Sequence, residues 1–353
     1  MEQSDASSSS CIRLHGARPQ QRHKSLHAPY IACEHRGCKQ ALWRLIVRVF
    51  VTGASGYIGG SVADRLVEAG HEVIGLARTE NRAKALRASG VAPVLGTLDD
   101  RETLTRAAHT ADAVINAADS DHRGAVETLT DALAGTGKTL LHASGSSIVG
   151  DDARGEATEQ TFTEAALSPA GSWQPEPDKA PRVAIDRLVL AAAERGIRST
   201  VLCSSLIYGH GYGISRDSVQ LPRLANQARK SGVVRYIGTG SNIWSTVHID
   251  DVIDLYVLAL ESAPPGSFYF AENGEASFAT MAQAIADNLG LGTAQSWDID
   301  SAIQEWGYEP AVYALGSNSR VRGTRARDQL GWKPQHDSVT DWIRRRLTVT
   351  EPG

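Results

Sequence analysis

The sequence predicts an α/β protein built on a doubly wound parallel sheet. From residue 47 onward, short apolar runs of strand length alternate with stretches of helical periodicity, which is the pattern of repeated βαβ units. The first run is almost continuously apolar, as expected of a strand that is buried on both faces of a sheet. A glycine-rich turn follows it directly. With 353 residues, of which 42% are hydrophobic, the chain can cover such a sheet.

The first strand is predicted over residues 45–51, and the helix after the glycine turn is predicted to end at Gly70. In the turn, Gly53 permits a tight change of direction, Gly56 lets a pyrophosphate approach the backbone, and Gly59 lets helix and strand pack closely. The helix N-terminus adds unpaired N–H groups and a positive dipole. Strand, turn and helix together predict a Rossmann-type dinucleotide site. A plain tight turn is the alternative, because a glycine triplet alone is a weak signal.

The end of the second strand indicates which dinucleotide is bound. This strand is predicted over residues 71–76, and Arg78 stands where an NAD site usually carries an acid for the ribose 2′-hydroxyl. An arginine there accommodates a 2′-phosphate, so NADP is favoured and NAD is the alternative. Arg78 as a solvated loop residue is the competing interpretation. Further strands are predicted over residues 91–96, 111–118 and 139–143, with the adenine edge near Leu98.

Residues 1–46 differ chemically from the rest of the chain. They hold three of the four cysteines and seven Lys and Arg against three acids, a net of +4, whereas residues 47–353 carry 29 against 37, a net of −8. Without periodicity this leader is predicted to be disordered. Cys33, His35 and Cys38 form only half of a zinc site, so no metal site is predicted. A single cysteine beyond the leader favours a reducing, cytoplasmic setting.

Charge and hydropathy each exclude one class of partner. The net charge of −4 and a charged fraction of 22% do not fit a protein that wraps nucleic acid. No run of 18 or more apolar residues occurs, so no membrane span is predicted. A small-molecule substrate is therefore the expected partner.

Several segments together resemble the extended and atypical short-chain dehydrogenases/reductases, a group that includes nucleotide-sugar epimerases and dehydratases. The likeness runs from Val47 to the C-terminal end and includes Tyr208-Gly209, residues 238–252 and residues 330–334. It implies that residues 47–208 mainly bind the dinucleotide. Residues 209–353 then form mainly a smaller C-terminal substrate lobe, with segments that return to the sheet. It also implies cofactor contacts from Gly53, Ser55, Gly56, Tyr57, Ile58, Gly59, Arg78, Leu98, Ala117, Ala118, Ser144 and Arg182.

The resemblance also bears on the leader. Members of the group often begin with Met-Arg-Val-Phe-Val-Thr-Gly, and here Val47 stands directly before the same residues. We hypothesise that Val47 is the initiator and that residues 1–46 are not native. Deleting them is expected to leave folding and activity intact.

The usual catalytic pair of the group is absent from this sequence. The group uses a Ser after the fifth strand and a Tyr-x-x-x-Lys pair on the next helix, but no tyrosine lies between Tyr57 and Tyr208. Aligned on Asp186, the helix carries Arg182 at the Lys position and Asp178 at the Tyr position. We predict Ser146 and Arg182 as catalytic residues, with Ser146 polarising the carbonyl oxygen. Arg182 is a fixed cation that cannot act as a normal proton donor.

The proton source and several side-chain roles stay open at this stage. Water can supply the proton, and so can the loop that carries the following side chains: Tyr208, His210 and Tyr212. Each candidate also has a purely structural interpretation. The serines would bond the backbone, Arg182 and Asp186 would form an exposed helical pair, and Asp250 would cap a helix.

Three classes of function follow from these observations. The favoured one is an NAD(P)H-dependent oxidoreductase that reduces a carbonyl of a small organic substrate, in the chemistry of secondary metabolism. A nucleotide-sugar epimerase or dehydratase and a non-catalytic NADP-binding sensor are the alternatives. No arginine cluster suited to a sugar-nucleotide diphosphate stands out, which favours a less charged substrate. Gln220, Leu221 and Trp244 are expected in its pocket. Homodimers are common in the group, but the sequence leaves the oligomeric state open.

Overall fold

The computed structural model describes residues 46–168 and 173–348. Contacts within the chain divide it into two units, Met1–Trp43 and Arg44–Gly353. The first unit lies outside the described residues, as do the predictions of disorder and of an incomplete zinc site. The account below concerns the second unit.

The strands and helices of this unit alternate along most of the chain. In order, the strands are β1 (Arg48–Thr52), β2 (Glu72–Ala77), β3 (Ala92–Leu95), β4 (Ala113–Asn116), β5 (Thr139–Gly145), β6 (Phe162–Thr163), β7 (Arg198–Ser204), β8 (Leu206–Tyr208), β9 (Arg235–Ile237), β10 (Ile243–His248), β11 (Ser267–Ala271), β12 (Glu275–Ser277), β13 (Gln295–Trp297) and β14 (Val321–Arg322). The α-helices are α1 (Tyr57–Glu68), α2 (Glu80–Ala88), α3 (Arg101–Thr110), α4 (Arg123–Leu133), α5 (Ala180–Ala191), α6 (Gln220–Ser231), α7 (Ile249–Ser262), α8 (Phe278–Leu289), α9 (Ile299–Trp306), α10 (Arg325–Leu330) and α11 (Val339–Arg346). Short 3₁₀ turns lie at Ser146–Val149, Glu164–Leu167 and Ala192–Arg195, and a π-helical turn lies at Pro310–Leu315.

The central sheet has seven strands in the order β11-β7-β5-β4-β1-β2-β3, and every neighbouring pair is parallel. The prediction of a doubly wound Rossmann-type sheet is confirmed. The chain moves from β1 to β2 on one side and returns to β4 on the other, so the strand order reverses between β1 and β4. Ligands of such sheets bind in the crevice beyond the carboxyl ends of the strands at this reversal.

Burial along β1 explains why its sequence is continuously apolar. Val49 and Val51 belong to one hydrophobic core, Phe50 belongs to another, and all three are fully buried. Successive side chains of a strand point to opposite faces, so helices must cover both faces of the sheet.

The smaller C-terminal lobe has a core of its own, which includes Leu224, Trp244, Phe278, Met281 and Ile343. Its three-stranded sheet has the order β12-β10-β8. After β10 the chain returns to the central sheet through α7, which packs against α1, and through β11, which pairs with β7.

The start of α7 differs from the expectation that Asp250 caps this helix. The cap is His248, whose Nδ1 accepts a hydrogen bond of 3.2 Å from the Asp250 backbone N–H. Among the described residues, none of the helices has the length and apolar character that crossing a membrane requires.

Candidate active site

The glycine turn between β1 and α1 leaves no room for a side chain at Gly53 or Gly59. Gly53 has a φ of +74°, and a Cβ at this position would lie 2.5 Å from the carbonyl oxygen of Ala117, at the end of β4. A Cβ on Gly59 would lie 2.5 Å from the carbonyl oxygen of Gly53. Gly56 is the N-cap residue of α1 and provides no side-chain cap. The turn therefore brings bare backbone and a helix N-terminus to the reversal of the sheet.

A cavity of about 290 Å³ lies directly at this turn. Leu76 and Leu98 contribute apolar walls, and Arg78 and Arg82 contribute guanidinium groups that form no ion pair with any other described residue. Backbone N–H groups, apolar walls and free cations suit the adenosine and phosphates of a dinucleotide, so these residues fit the cofactor that the sequence predicts. The complete lining is Gly53, Ser55, Gly56, Leu76, Arg78, Arg82, Leu98, Ala117, Ala118, Asp119 and Ser215.

A larger cavity of about 540 Å³ adjoins the first one. The two share Ala117, Ala118 and Asp119, at the end of β4. The larger cavity continues along the end of β5, past Ser144, and reaches the C-terminal lobe. Its lining includes Tyr57, Ile58, Ser144, Ser146, Ser147, Arg182, Ile207, Val219, Gln220, Trp244, Glu309, Tyr313 and Ala314.

Arg182 lies on the first turns of α5 and reaches this larger cavity. Its Nε donates a hydrogen bond of 2.7 Å to Asp121 Oδ1, its Nη2 contacts Asp121 Oδ2, and its Nη1 donates to Ser147 Oγ at 2.9 Å. The hydrogen bond from Arg182 lowers the pKa of the Asp121 carboxyl and raises the pKa of the guanidinium. Arg182 is thus a fixed cation that positions the Ser147 hydroxyl. It does not form the exposed pair with Asp186 that was the alternative prediction.

The position of Ser146 argues against the catalytic role predicted for it. The hydroxyl is fully buried and lies 2.7 Å from Ser319 Oγ. Because Ser319 itself donates to the Ser146 carbonyl oxygen at 2.7 Å, the Ser146 hydroxyl must donate to Ser319. Its proton therefore holds two segments together, although Ser146 borders the same cavity as Ser144 and Ser147.

A row of buried polar side chains crosses three neighbouring strands of the central sheet, β5, β4 and β1, and includes Asp186 on α5. Ser144 Oγ donates a hydrogen bond of 2.8 Å to Asp186 Oδ2, and Asp186 Oδ1 lies 3.8 Å from His142 Nε2. His142 Nδ1 lies 3.0 Å from the Asn116 side-chain amide, and Asn116 Oδ1 lies 2.6 Å from Thr52 Oγ1. Asp186 and His142 are almost completely shielded from solvent, at 0% and 1% exposure.

The C-terminal lobe contributes a segment to this cavity that sequence spacing did not reveal. Lys179 Nζ lies 2.8 Å from Glu309 Oε1 and 3.9 Å from the centre of the Tyr313 ring. Burial, and then a hydrogen bond with Asp178, raise the pKa of Tyr313. About 130 residues separate Lys179 from Glu309 along the chain, so no local pattern indicates their contact. The expected pocket residues Gln220 and Trp244 do line the cavity, whereas Leu221 lies in the core of the lobe.

A family model described as the NAD dependent epimerase/dehydratase family matches residues 49–269. The chain belongs to this family. The match begins within β1 and ends within β11, so it includes residues from all seven strands of the central sheet. The resemblance on which the sequence-based expectations rest is therefore confirmed.

Relatives of this chain include reductases. An uncharacterised protein of Schizosaccharomyces pombe is 32% identical over 83% of this chain and 97% of its own length. The 4-hydroxy-2-methyl-3-oxo-4-farnesyl-3,4-dihydroquinoline-1-oxide ketoreductase of Stigmatella aurantiaca is 29% identical over 84% of this chain and 96% of its own length.

Solved structures share the fold. The UDP-glucose 4-epimerase of Thermotoga maritima, solved with UDP-glucose, has a TM-score of 0.66 and 16% identity. The match covers 84% of this chain and 96% of that one. At this identity the likeness concerns the fold alone.

None of the three side chains predicted as alternative proton donors lines either cavity. Tyr208 is buried and donates to the carbonyl oxygen of His336 at 3.1 Å. His210 Nε2 contacts the carbonyl oxygen of Arg346 at 2.9 Å, and Tyr212 donates to Asp250 at 2.7 Å. The expectation that this loop faces the nicotinamide is not supported, because none of the three lines a cavity at the reversal of the sheet.

Close by, His248, Asp250 and His336 place potential ligand atoms within 4.8 Å of one another. The two imidazoles stack, however, with ring centres 4.0 Å apart and planes 23° apart. Lone pairs of stacked rings do not converge on one point, and His248 Nδ1 already accepts the Asp250 N–H. The cluster therefore fits a role in fixing the start of α7 better than a role as a metal centre.

Proposed function

We propose that this chain is an NAD(P)H-dependent oxidoreductase that reduces the carbonyl group of a small organic substrate. The observation that carries the proposal is the pair of adjoining cavities. The first cavity suits the adenosine and phosphates of a dinucleotide. In the second cavity, the hydroxyl groups of Ser144 and Ser147 and the guanidinium of Arg182 lie together near the end of β5. Such donors stabilise negative charge on a carbonyl oxygen as it is reduced. The ketoreductase among the relatives supports the same chemistry.

For the cofactor we propose NADP rather than NAD. Gly53, Ser55 and Gly56 would hold the pyrophosphate, and Arg78 and Arg82 would face a 2′-phosphate because their guanidinium groups have no other described ion-pair partner. Ala117 and Ala118 line both cavities and would contact the dinucleotide where it passes from one cavity to the other. When bound, the reduced nicotinamide supplies the hydride.

For the substrate we propose a weakly charged carbonyl compound. Ile207, Val219, Trp244 and Ala314 form apolar parts of the larger cavity. Among the described residues that line it, Arg182 is the one basic side chain, and Asp121 already neutralises it. A sugar-nucleotide diphosphate placed there would meet no free cation, whereas an uncharged ketone needs none.

A turnover experiment tests the proposal. The purified protein is incubated with NADPH or NADH and a panel of ketones and β-dicarbonyl compounds, and the fall of reduced cofactor is followed. Steady consumption with at least one carbonyl compound is expected. Conversion of a UDP- or GDP-sugar without net change in cofactor would instead support an epimerase or dehydratase. Tight NADPH binding without any turnover would support a sensor.

A further inference from the structure

We propose that Asp186 stores the proton that the substrate oxygen receives and passes it through the Ser144 hydroxyl. This inference rests on the proposed carbonyl reduction and names the residues that replace the absent tyrosine. Ser144 lines the larger cavity, so we assign it as the group that touches the reacting oxygen. Asp186 acts through Ser144 and does not touch the substrate.

The path from the cavity to Asp186 is a single hydrogen bond. Ser144 is the penultimate residue of β5, and its Oγ lies 2.8 Å from Asp186 Oδ2 on α5. Asp186 has no exposed surface, so the Ser144 hydroxyl is its contact towards the cavity. When the carboxyl is ionised, Ser144 donates to Asp186. When the carboxyl is protonated, the same contact runs from Asp186 to Ser144, and the proton of the hydroxyl is then available to the cavity. The geometry therefore allows a two-step proton transfer.

The hydrogen bonds beneath Asp186 set the protonation of His142. Thr52 Oγ1 accepts from the Ala117 N–H and so donates to Asn116 Oδ1. The Asn116 amide nitrogen must then donate to His142 Nδ1, which places the imidazole proton on Nε2. That N–H faces Asp186 Oδ1, which lies 3.8 Å away, too far for a hydrogen bond, and neither atom has a hydrogen-bond partner among the described residues.

This arrangement can hold Asp186 in either charge state. Burial raises the pKa of the Asp186 carboxyl to about 7, against opposing effects from Ser144 and Arg182, and burial lowers the pKa of His142 to about 4. At neutral pH the histidine is uncharged, and its Nε2–H can stabilise the carboxylate that remains after the proton leaves. The polar and titratable groups around Asp186 are Ser144 and His142 on β5, Cys203 on β7, Arg182 on α5, and Asp121.

The reaction step balances as follows. The carbonyl carbon accepts a hydride from the reduced nicotinamide, and the π electrons of the C=O bond move to oxygen. This oxygen takes the proton of Ser144 Oγ, and Ser144 recovers one from the Asp186 carboxyl. Asp186 is left as a carboxylate and, after the alcohol leaves, regains a proton from solvent in the cavity through the Ser144 hydroxyl.

Infrared spectroscopy of the protein without cofactor tests the stored proton directly. At pH 6 we expect an absorption band of a buried protonated carboxyl that disappears as the pH rises through about 7. The band is expected to be missing in Asp186→Asn and to remain in Ser144→Ala and in the surface control Asp254→Asn. A spectrum at pH 6 without this band, or a band that persists in Asp186→Asn, would overturn the proposal.

The pH dependence of turnover tests the path of the proton. The wild-type kcat/KM is expected to fall as pH rises above about 7, because the acid form of Asp186 is lost. Asp186→Asn and Ser144→Ala are each expected to lower kcat/KM by about a hundredfold, and Asp186→Asn is expected to abolish the fall above pH 7. An unchanged pH profile in Asp186→Asn would contradict the relay. So would loss of the profile in Tyr313→Phe, because the proton would then come from the tyrosine.

The two proposals can fail separately. If Asp186→Asn does not fold, absence of the wild-type band, or an unchanged rate in Ser144→Ala, would still overturn the relay. Absence of carbonyl reduction by the wild type would overturn the proposed function, whereas absence of the infrared band would overturn the relay whether or not the protein turns over.

Discussion

Arg182 Nη1 donates a hydrogen bond of 2.9 Å to Ser147 Oγ while the other two nitrogens of the guanidinium hold both oxygens of Asp121. This one side chain therefore joins α5, the end of β5 and the segment after β4 at the larger cavity. A planar guanidinium can satisfy three such partners at once, whereas an ammonium group cannot match the two-point contact with a carboxylate.

The contacts of Arg182 predict the behaviour of its variants. Arg182→Ala is expected to lower kcat/KM by about a hundredfold, because Ser147 loses its positioning bond and the cavity loses its cation. Arg182→Lys should recover part of this loss, since lysine restores the positive charge but not the two-point contact with the Asp121 carboxylate. Steady-state kinetics of both variants, beside the exposed control Arg65→Ala, check the prediction. Wild-type kinetics in Arg182→Ala would remove Arg182 from the site.

Neutralising the partner of Arg182 should change substrate preference. In Asp121→Asn the guanidinium keeps a hydrogen-bond partner but its charge is no longer balanced. We expect ketones that carry a carboxylate to gain in kcat/KM relative to neutral ketones, by about tenfold. A paired comparison of a keto acid with its amide measures the change. Equal effects on both compounds would show that the substrate does not approach Arg182.

The free guanidinium of Arg78 predicts which cofactor binds better. Arg78→Glu is expected to weaken NADPH binding by about tenfold or more, through loss of the partner of the 2′-phosphate and repulsion by the new carboxylate. The affinity for NADH should change little. Lys84→Glu is the matched control, because Lys84 is an exposed cation nearby that does not line the cavity. Tighter binding of NADH than NADPH by the wild type would show that the assignment from Arg78 is wrong.

The glycine turn allows a test with a control inside the same chain. Gly53 and Gly70 both have positive φ, +74° and +85°, but only Gly53 lies against neighbouring backbone, whereas a Cβ on Gly70 meets nothing within 4 Å. Gly70→Ala should therefore cost about 1 kcal/mol of unfolding free energy from backbone strain. Gly53→Ala should cost about 2 kcal/mol more because the turn must move away from Ala117. Denaturant unfolding of both variants decides; equal costs would mean that the contact with Ala117 relaxes freely.

Burial of Asp186 and His142 predicts how stability depends on pH. The pKa of Asp186 rises from 3.8 to about 7 on folding, so between these values the folded chain holds a proton that the unfolded chain has lost. Its contribution to stability is complete below about pH 4 and is lost as pH rises through about 7. His142 acts oppositely, since its pKa falls from 6.5 to about 4 and stability is lost as pH falls through that range. In the wild type the two effects largely cancel.

Asp186→Asn removes one side of this balance. Its unfolding free energy, relative to wild type, is expected to rise by on the order of 4 kcal/mol between pH 4 and pH 8. Denaturant unfolding at several pH values measures this difference. A difference that does not vary with pH would mean that Asp186 is already ionised in the folded protein below neutral pH.

The sequence predicted the sheet and the nucleotide cavity because both depend on local patterns. Strands buried on both faces must be continuously apolar, as β1 is, and the close approach of Gly53 to Ala117 demands a glycine at one position of the turn. Such requirements can be recognised without knowing the neighbours.

The arrangement of the larger cavity could not be predicted in the same way. Three nearby serines border the cavity, and the partner of each hydroxyl depends on the direction of its side chain at the end of β5. Ser319, which bonds the Ser146 hydroxyl, lies 173 residues further on. The contact of Lys179 with Glu309 is similarly distant. Asp186 served to align α5 with the family pattern, and an exposed pair with Arg182 was the alternative interpretation, but its burial and its contact with Ser144 depend on the packing of α5 against β5.

Hydride transfer from the cofactor to a carbonyl carbon is the centre of this account. It is tested most directly with NADPH that carries deuterium on the reactive carbon of the nicotinamide, incubated with the protein and the carbonyl panel, and with mass spectrometry of the products. The account predicts one deuterium in each molecule of alcohol formed and one NADP⁺ released for each. Products without deuterium, or conversion of a nucleotide sugar with the cofactor unchanged, would contradict it.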